Sequence, residues 1–396
     1  MVDFRFPSRF AGALVVFATT GLLVGCGPDA VSGPPPLAES APKVINGYAD
    51  VVFATYTDAL EGANAIDTTL GALVTNPSDT TLGAARTTWL EARNAYGQSE
   101  AFRFYGGPID DDDGPEGRIN AWPMDESYVD YVDADPAAGI INDSMTYPTI
   151  DGPLLTSLNE KDGEKNISTG YHAIEFLLWG QDKNASGPGA RPFTDYVVGA
   201  GGTASNQQRR GDYLLATGKL LIADLKPVAD EWADGGAYRA SFVQLAPEEA
   251  LRRILLGIGS LSGAELAGER MQVAYDTKEQ EDEHSCFSDN TIADILNNAR
   301  GIQNVYLGKY KDLDVPGLDE LVRERDAALD KRMQEELSAS IAAIEAIPAP
   351  FDQAILGDDS SEGRMRVDAA IKALRKQTTT IVEIATLLGI SLNIEE

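Results

Sequence analysis

Histidine, cysteine and positive charge are all scarce in this chain. Its 396 residues include two histidines, two cysteines and 32 lysines and arginines, against 62 aspartates and glutamates, for a formal net charge of −30. That balance speaks against nucleic-acid binding, because neutralising phosphates takes clustered basic side chains. The same field repels anionic lipid head groups and gathers cations at the surface. It is also the composition of a very soluble secreted protein, so charge alone selects no function. Period-2 strand patterns are lacking, and so are the zinc-peptidase strings HExxH and HxxEH and the Gly-x-Ser-x-Gly nucleophile elbow.

The first 26 residues read as a lipoprotein signal peptide. Arg5 and Arg9 precede AGALVVFATTGLLV (11–24), an apolar run too short to span a bilayer comfortably. It ends in Leu23-Val24-Gly25-Cys26, similar to a bacterial lipobox with Cys26 as the lipidated residue. Gly27 rather than aspartate comes next, as in lipoproteins sent on to the outer membrane. Residues 27–43 hold five prolines. As an extended spacer they would reach roughly 50 Å at ~3.1 Å per residue. The expected location is the bacterial cell envelope, at the outer membrane, facing the periplasm or the cell surface, with the lipid as the only membrane contact. If Cys26 carries lipid, Cys286 has no partner for a disulfide, and stability must come from the core.

Beyond the spacer the pattern is helical. Val52, Tyr56, Leu60, Ala63, Ile66, Leu70 and Leu73 step by threes and fours, as do Leu82, Ala85, Trp89, Ala92 and Tyr96. Leu214, Leu221, Leu225, Val228 and Trp232 continue the pattern, and Pro247 sits where a helix would begin. Long amphipathic stretches fill 317–346 and 361–388, the second stopped by Gly389. The expected fold is all-α, built as two four-helix-bundle-like halves, 44–245 and 246–396, with a break where GGAYRASFVQLAP interrupts the periodicity. The halves also align: NAYGQSEAF (94–102) with VAYDTKEQE (273–281), and WPMDESYVDYV (122–132) with CFSDNTIADIL (286–296). GYHAIEF (170–176) then faces GIQNVYL (301–307). This pairs Asp125 with Asp289 and Asp130 with Asp294, and predicts a pseudo-twofold internal repeat in which one copy keeps a His–Glu pair. Chance similarity between amphipathic helices is the alternative.

In GYHAIEFLLWG (170–180), His172 and Glu175 stand three apart on a helix that is apolar nearly all round. A buried carboxylate needs a proton, a cation or hydrogen bonds. Imidazole and carboxylate at that spacing are a metal-ligand pair used in bundle cores. The competing reading is a histidine satisfied by its own glutamate, or a glutamate paired with an arginine such as Arg103.

ARTTWLEARNAYGQSEAFRFYGGPID, INAWPMDESYVDYV, GYHAIEFLLWGQD, GPGARPFTDY and EDEHSCFSDNT together resemble the imelysin family, in particular its iron-regulated protein A-like branch. The resemblance runs from about 46 to 394 and includes the family's GxHxxE signature as Gly170, His172 and Glu175. It implies a pseudo-symmetric pair of helical bundles on an envelope protein linked to iron. Through HxxE the family is also similar to the periplasmic iron-binding component of ferrous-iron uptake systems. The family carries a peptidase label too. A hydrolytic zinc site of the His₂Glu kind would need His172, Glu175 and His284 to converge, and no spacing demands that. A carboxylate-rich, histidine-poor site suits iron better, with zinc as the alternative ion. The expected metal ligands are His172 and Glu175, then Glu100 from SEAFRF and Asp125. A second or shared site is expected at Glu281, His284 and Asp289; a solvated acidic turn is the alternative there. The leading function is an envelope-anchored lipoprotein that binds iron for acquisition, served by an uptake transporter. The runner-up is a metal-dependent peptidase, and a third reading is a binding lipoprotein for another ligand.

Overall fold

The structure is a computed structural model that describes residues 34–394. The signal peptide, Cys26 and residues 27–33 of the proline-rich segment lie outside the described residues. Eight helices carry the architecture: α1 (Leu37–Thr75), α2 (Asp79–Ser99), α3 (Gly170–Trp179), α4 (Gln207–Trp232), α5 (Pro247–Ser260), α6 (Thr291–Leu307), α7 (Ala327–Glu345) and α8 (Glu362–Leu387). A two-residue hairpin pairs Lys309 with Asp314 and Tyr310 with Leu313. Because α1 begins at Leu37, residues 37–43 are helix rather than spacer, and Pro42 lies inside the helix, where it has no amide hydrogen to give the Ala38 carbonyl.

The predicted periodicities are the buried stripes of these helices. On α2, Leu82, Ala85, Trp89, Ala92 and Tyr96 are all buried, and on α1 Ala59 takes the inward place expected of Leu60. Pro247 opens α5, and Gly389, at φ +74°, lies just past the end of α8. The amphipathic stretch 317–346 is two helices, because Asp326 caps the second by accepting from the Ala328 and Leu329 amides. Beyond α5 the chain continues as a π-helix, Leu261–Gln272, before a last α-turn to Thr277. Such widened turns often mark functional positions, and this one carries Glu265 and Arg270.

Within the described residues, 35–394 belong to one compact unit. Residue 245 is a change of direction, and helices from either side of it pack directly: α1 against α5, and α2 against α6. The α2–α6 crossing is close because Gly97 and Gly301 face it. A Cβ on Gly301 would lie 2.3 Å from the Gln98 carbonyl. Asparagines seal the crossing, Asn298 donating to the Gly97 carbonyl at 2.8 Å and Asn297 to Asn94 at 2.8 Å. The strings aligned as a repeat differ in local structure. Both 94–102 and 273–281 run from a helix end into a 3₁₀ turn, whereas 122–132 holds only the four-residue turn Glu126–Val129 and 286–296 runs into the 17 residues of α6.

Candidate metal centre

Gly170 opens α3 with φ +81°, and a Cβ there would lie 2.4 Å from the Ile119 carbonyl. Only glycine fits that entry. The helix is buried along its whole length, so His172 and Glu175 are both removed from water. Their side chains turn toward each other, His172 Nδ1 lying 2.9 Å from Glu175 Oε2. Glu175 Oε1 accepts from the Ser288 amide at 3.0 Å and the Ser288 hydroxyl at 2.7 Å. His172 Nε2 is buried and has no hydrogen-bond partner.

The segment between the 3₁₀ turn Gln280–Asp282 and α6 brings the second histidine to the first. The two imidazoles meet edge to face with centroids 4.8 Å apart. His284 Nδ1 lies 2.9 Å from Asp294 Oδ2, and its Nε2 faces the Asn120 amide at 3.5 Å. Arg93 reaches Asp294 at 3.1 Å and Asn120 at 2.6 Å, and Ser285 donates to Asp294 as well. Each imidazole is thus held by a carboxylate at Nδ1, the arrangement that orients metal-ligating histidines. A cleft of about 260 Å³, lined in part by Trp122, Asn120, Arg103, Glu116 and Arg270, reaches His284.

Electrostatics follow from burial. Burial, with the Arg93 charge nearby, holds the His172 imidazole down to about 3. Burial and the Arg270 charge hold His284 down to about 3. Both rings are neutral near neutral pH, the form that ligates. Burial pushes the Glu175 carboxyl up to about 8, the Ser288 hydroxyl opposing the shift. Near neutral pH the His172–Glu175 pair therefore carries two protons, the carboxyl's and the neutral imidazole's own. Loss of one leaves the other on Nδ1, and Nε2 then presents a lone pair.

Glu100 lies at the α2 terminus and is also buried, but two arginines hold it: Arg103 at 2.7 Å and Arg270 at 2.6 Å, both on Oε2. Burial alone would raise its pKa, yet the Arg103 and Arg270 charges take it down to about 2. Its Oε1 is buried without a partner. Arg103 therefore serves Glu100 and Glu116, not Glu175.

The remaining expected ligands lie apart. Asp125 is exposed and caps the turn Glu126–Val129, accepting from the Ser127 amide at 2.9 Å. Glu281 is exposed on the 3₁₀ turn. Asp289 joins Glu283 and Asp352, and this is the one group of three donor residues within 4.8 Å of one another among the described residues. His172 and Glu175 do not aim at a common point, because each satisfies the other. Sequence reasoning misses Arg93, Asn120, Asp294, Arg270 and Ser288. Arg93 is visible in principle: with Trp89, Tyr96 and Glu100 it lies on the buried stripe of α2, where a charge demands a partner.

An all-helical body with two carboxylate-held histidines facing each other inside it is the class that fold and site define. The family model described as Imelysin matches residues 52–381, and the chain belongs to that family. It is 25% identical over 351 residues to iron-regulated protein A of Synechococcus elongatus, a match covering 86% of this chain and 84% of that one. A candidate iron-regulated protein A precursor of Parabacteroides distasonis has a similar solved structure. Its TM-score is 0.69 at 18% identity, covering 91% of this chain and 97% of that one. An imelysin-like protein of Psychrobacter arcticum matches with TM-score 0.62 at 14% identity, covering 92% and 100%. No described helix is long and apolar enough to cross a membrane.

Proposed function

We propose that this protein is an envelope-anchored lipoprotein that binds iron for uptake, with its lipid on Cys26 and a transporter as the expected recipient. One observation carries the reading: His172 Nε2 is buried with no partner, while Glu175 holds Nδ1. A buried imidazole nitrogen left unmatched is costly unless a ligand meets it. His172 and His284 would hold the ion, with Glu100, whose Oε1 is also unpartnered and whose charge acts on His172, as an oxygen donor. Glu175 and Asp294 would orient the rings, and ion binding at Nε2 would release one of the two protons of the His172–Glu175 pair and leave the other on Nδ1. The name of the Synechococcus relative supports the link to iron.

The peptidase reading has less behind it. The Ser285 hydroxyl donates to Asp294, on the Nδ1 side of His284, whereas a nucleophile activated by that ring would sit at Nε2. Burial raises the Cys286 thiol, which disfavours the thiolate a cysteine nucleophile needs.

The test is metal analysis of purified wild type beside His172→Ala after equal exposure to ferrous iron and to zinc. The variant should lose its bound iron. Equal iron in the two proteins would remove the reading.

A further inference from the structure

A second group of acids lies within electrostatic reach of Glu175, and the histidine site leaves it unused. Glu283 adjoins the 3₁₀ turn, Asp289 stands two residues before α6, and Asp352 lies in the helical turn Phe351–Ala354. One oxygen from each lies within 4.8 Å of the others. Glu283 is 0% exposed, and neither of its oxygens has a hydrogen-bond partner. The Thr291 hydroxyl is close enough to favour the charged form slightly, but it makes no hydrogen bond to Glu283. Asp352 is 7% exposed, and its Oδ1 is likewise unpartnered. Among the described residues no lysine, arginine or histidine forms an ion pair with any of the three. At several other buried carboxylates the fold supplies arginine: Arg103 and Arg270 at Glu100, Arg191 and Arg210 at Asp130, Arg93 at Asp294. Here it supplies none.

We propose that Glu283, Asp289 and Asp352 bind one hard divalent cation of calcium size, at a site separate from the histidine pair. Three carboxylates with no nitrogen or sulfur donor select hard cations. Three protein carboxylates converging on one point suit calcium, whereas magnesium usually keeps several waters and takes one or two carboxylates. Glu283 and Asp289 bracket His284, Ser285 and Ser288. The cation therefore pins the segment that carries His284 to its place and presents Ser288 to Glu175. It does so whatever the histidines bind.

The experiment uses the full mature chain, stripped with chelator, in about 0.1 M KCl to screen the surface acids. Equilibrium dialysis with calcium should find one saturable ion, and melting temperature should climb with the logarithm of calcium. The double variant Glu283→Gln/Asp352→Asn should lose both responses, yet melt no lower than wild type without metal. His172→Ala should keep both, which separates this site from iron binding. If the double variant does not fold, Asp352→Asn alone should weaken calcium by about tenfold or more. Absence of saturable calcium in wild type, or wild-type binding by the variants, overturns the proposal. Magnesium binding more tightly than calcium overturns the assignment of ion size.

Discussion

Glu100 and Glu175 are two fully buried glutamates in one core, and they titrate in opposite directions. Arginines 103 and 270 grip Glu100 and hold it down to about 2. Glu175 meets only a neutral imidazole and Ser288, and burial pushes it up to about 8. Equal burial thus yields a permanent anion in one place and a proton-carrying group in the other. Fixed cations make the difference. A carboxylate locked between arginines keeps its charge at any ordinary pH, whereas one without a cation is free to exchange its proton for a metal's influence. Both buried aspartates fall on the arginine side: Asp130 lies between Arg191 and Arg210, and Asp294 takes Arg93 on both oxygens while its Oδ2 also keeps the neutral His284 ring in place.

The comparison breaks most sharply at Arg270. Arg270→Met leaves Glu100 with Arg103 alone and also frees Glu265 and Asn298. The expected loss is about 3–5 kcal/mol, as for other broken buried pairs. Urea denaturation at neutral pH measures it, and a loss below about 1 kcal/mol, the size of an exposed pair, would mean that Glu100 is not held as an anion.

A pH series on chelator-treated protein sharpens the contrast. Glu175 is raised from 4.5 to about 8 in the fold, so its contribution is fully present below pH 4.5 and lost as pH rises through 8. Glu100 is lowered from 4.5 to about 2, so its contribution is present above pH 4.5 and lost as pH falls through 2. Glu175→Gln should flatten the alkaline limb by about 1–3 kcal/mol, in line with the cost of an uncompensated buried polar group, and leave the acid limb intact. An unchanged alkaline limb would show that Glu175 is not the group titrating there.

The smallest expected effect is at Asp125, the one predicted ligand that proves to be a helix cap. Asp125→Ala should cost about 0.5–1 kcal/mol and leave iron content unchanged. Loss of iron in that variant would return Asp125 to the ligand set.

Much of the fold is legible in the sequence alone. Apolar spacing locates the helices because each one buries a single stripe. GYHAIEFLLWG announces a buried His–Glu pair because nothing polar flanks it. Glu100 stands out as important but not as an arginine-bound anion, since Arg270 approaches from 170 residues away. Asp125 looks like a ligand because short acidic strings carry two meanings, ligand and cap, and only the adjoining helix distinguishes them. Glu283 is inconspicuous within EDEH because the two acids before it meet solvent and it does not.

By itself the sequence determined the helical class, the burial of α3 and the presence of one histidine beside one glutamate, since these depend on local periodicity and on which side chains water rejects. Tertiary structure decided which buried acids received arginines and which did not. It also decided that His284 faces His172 across 112 positions of chain, and that three acids from two distant segments share one space. Compensation of a buried charge depends on distances of a few ångströms between segments far apart in the chain, and residue order alone does not contain those distances.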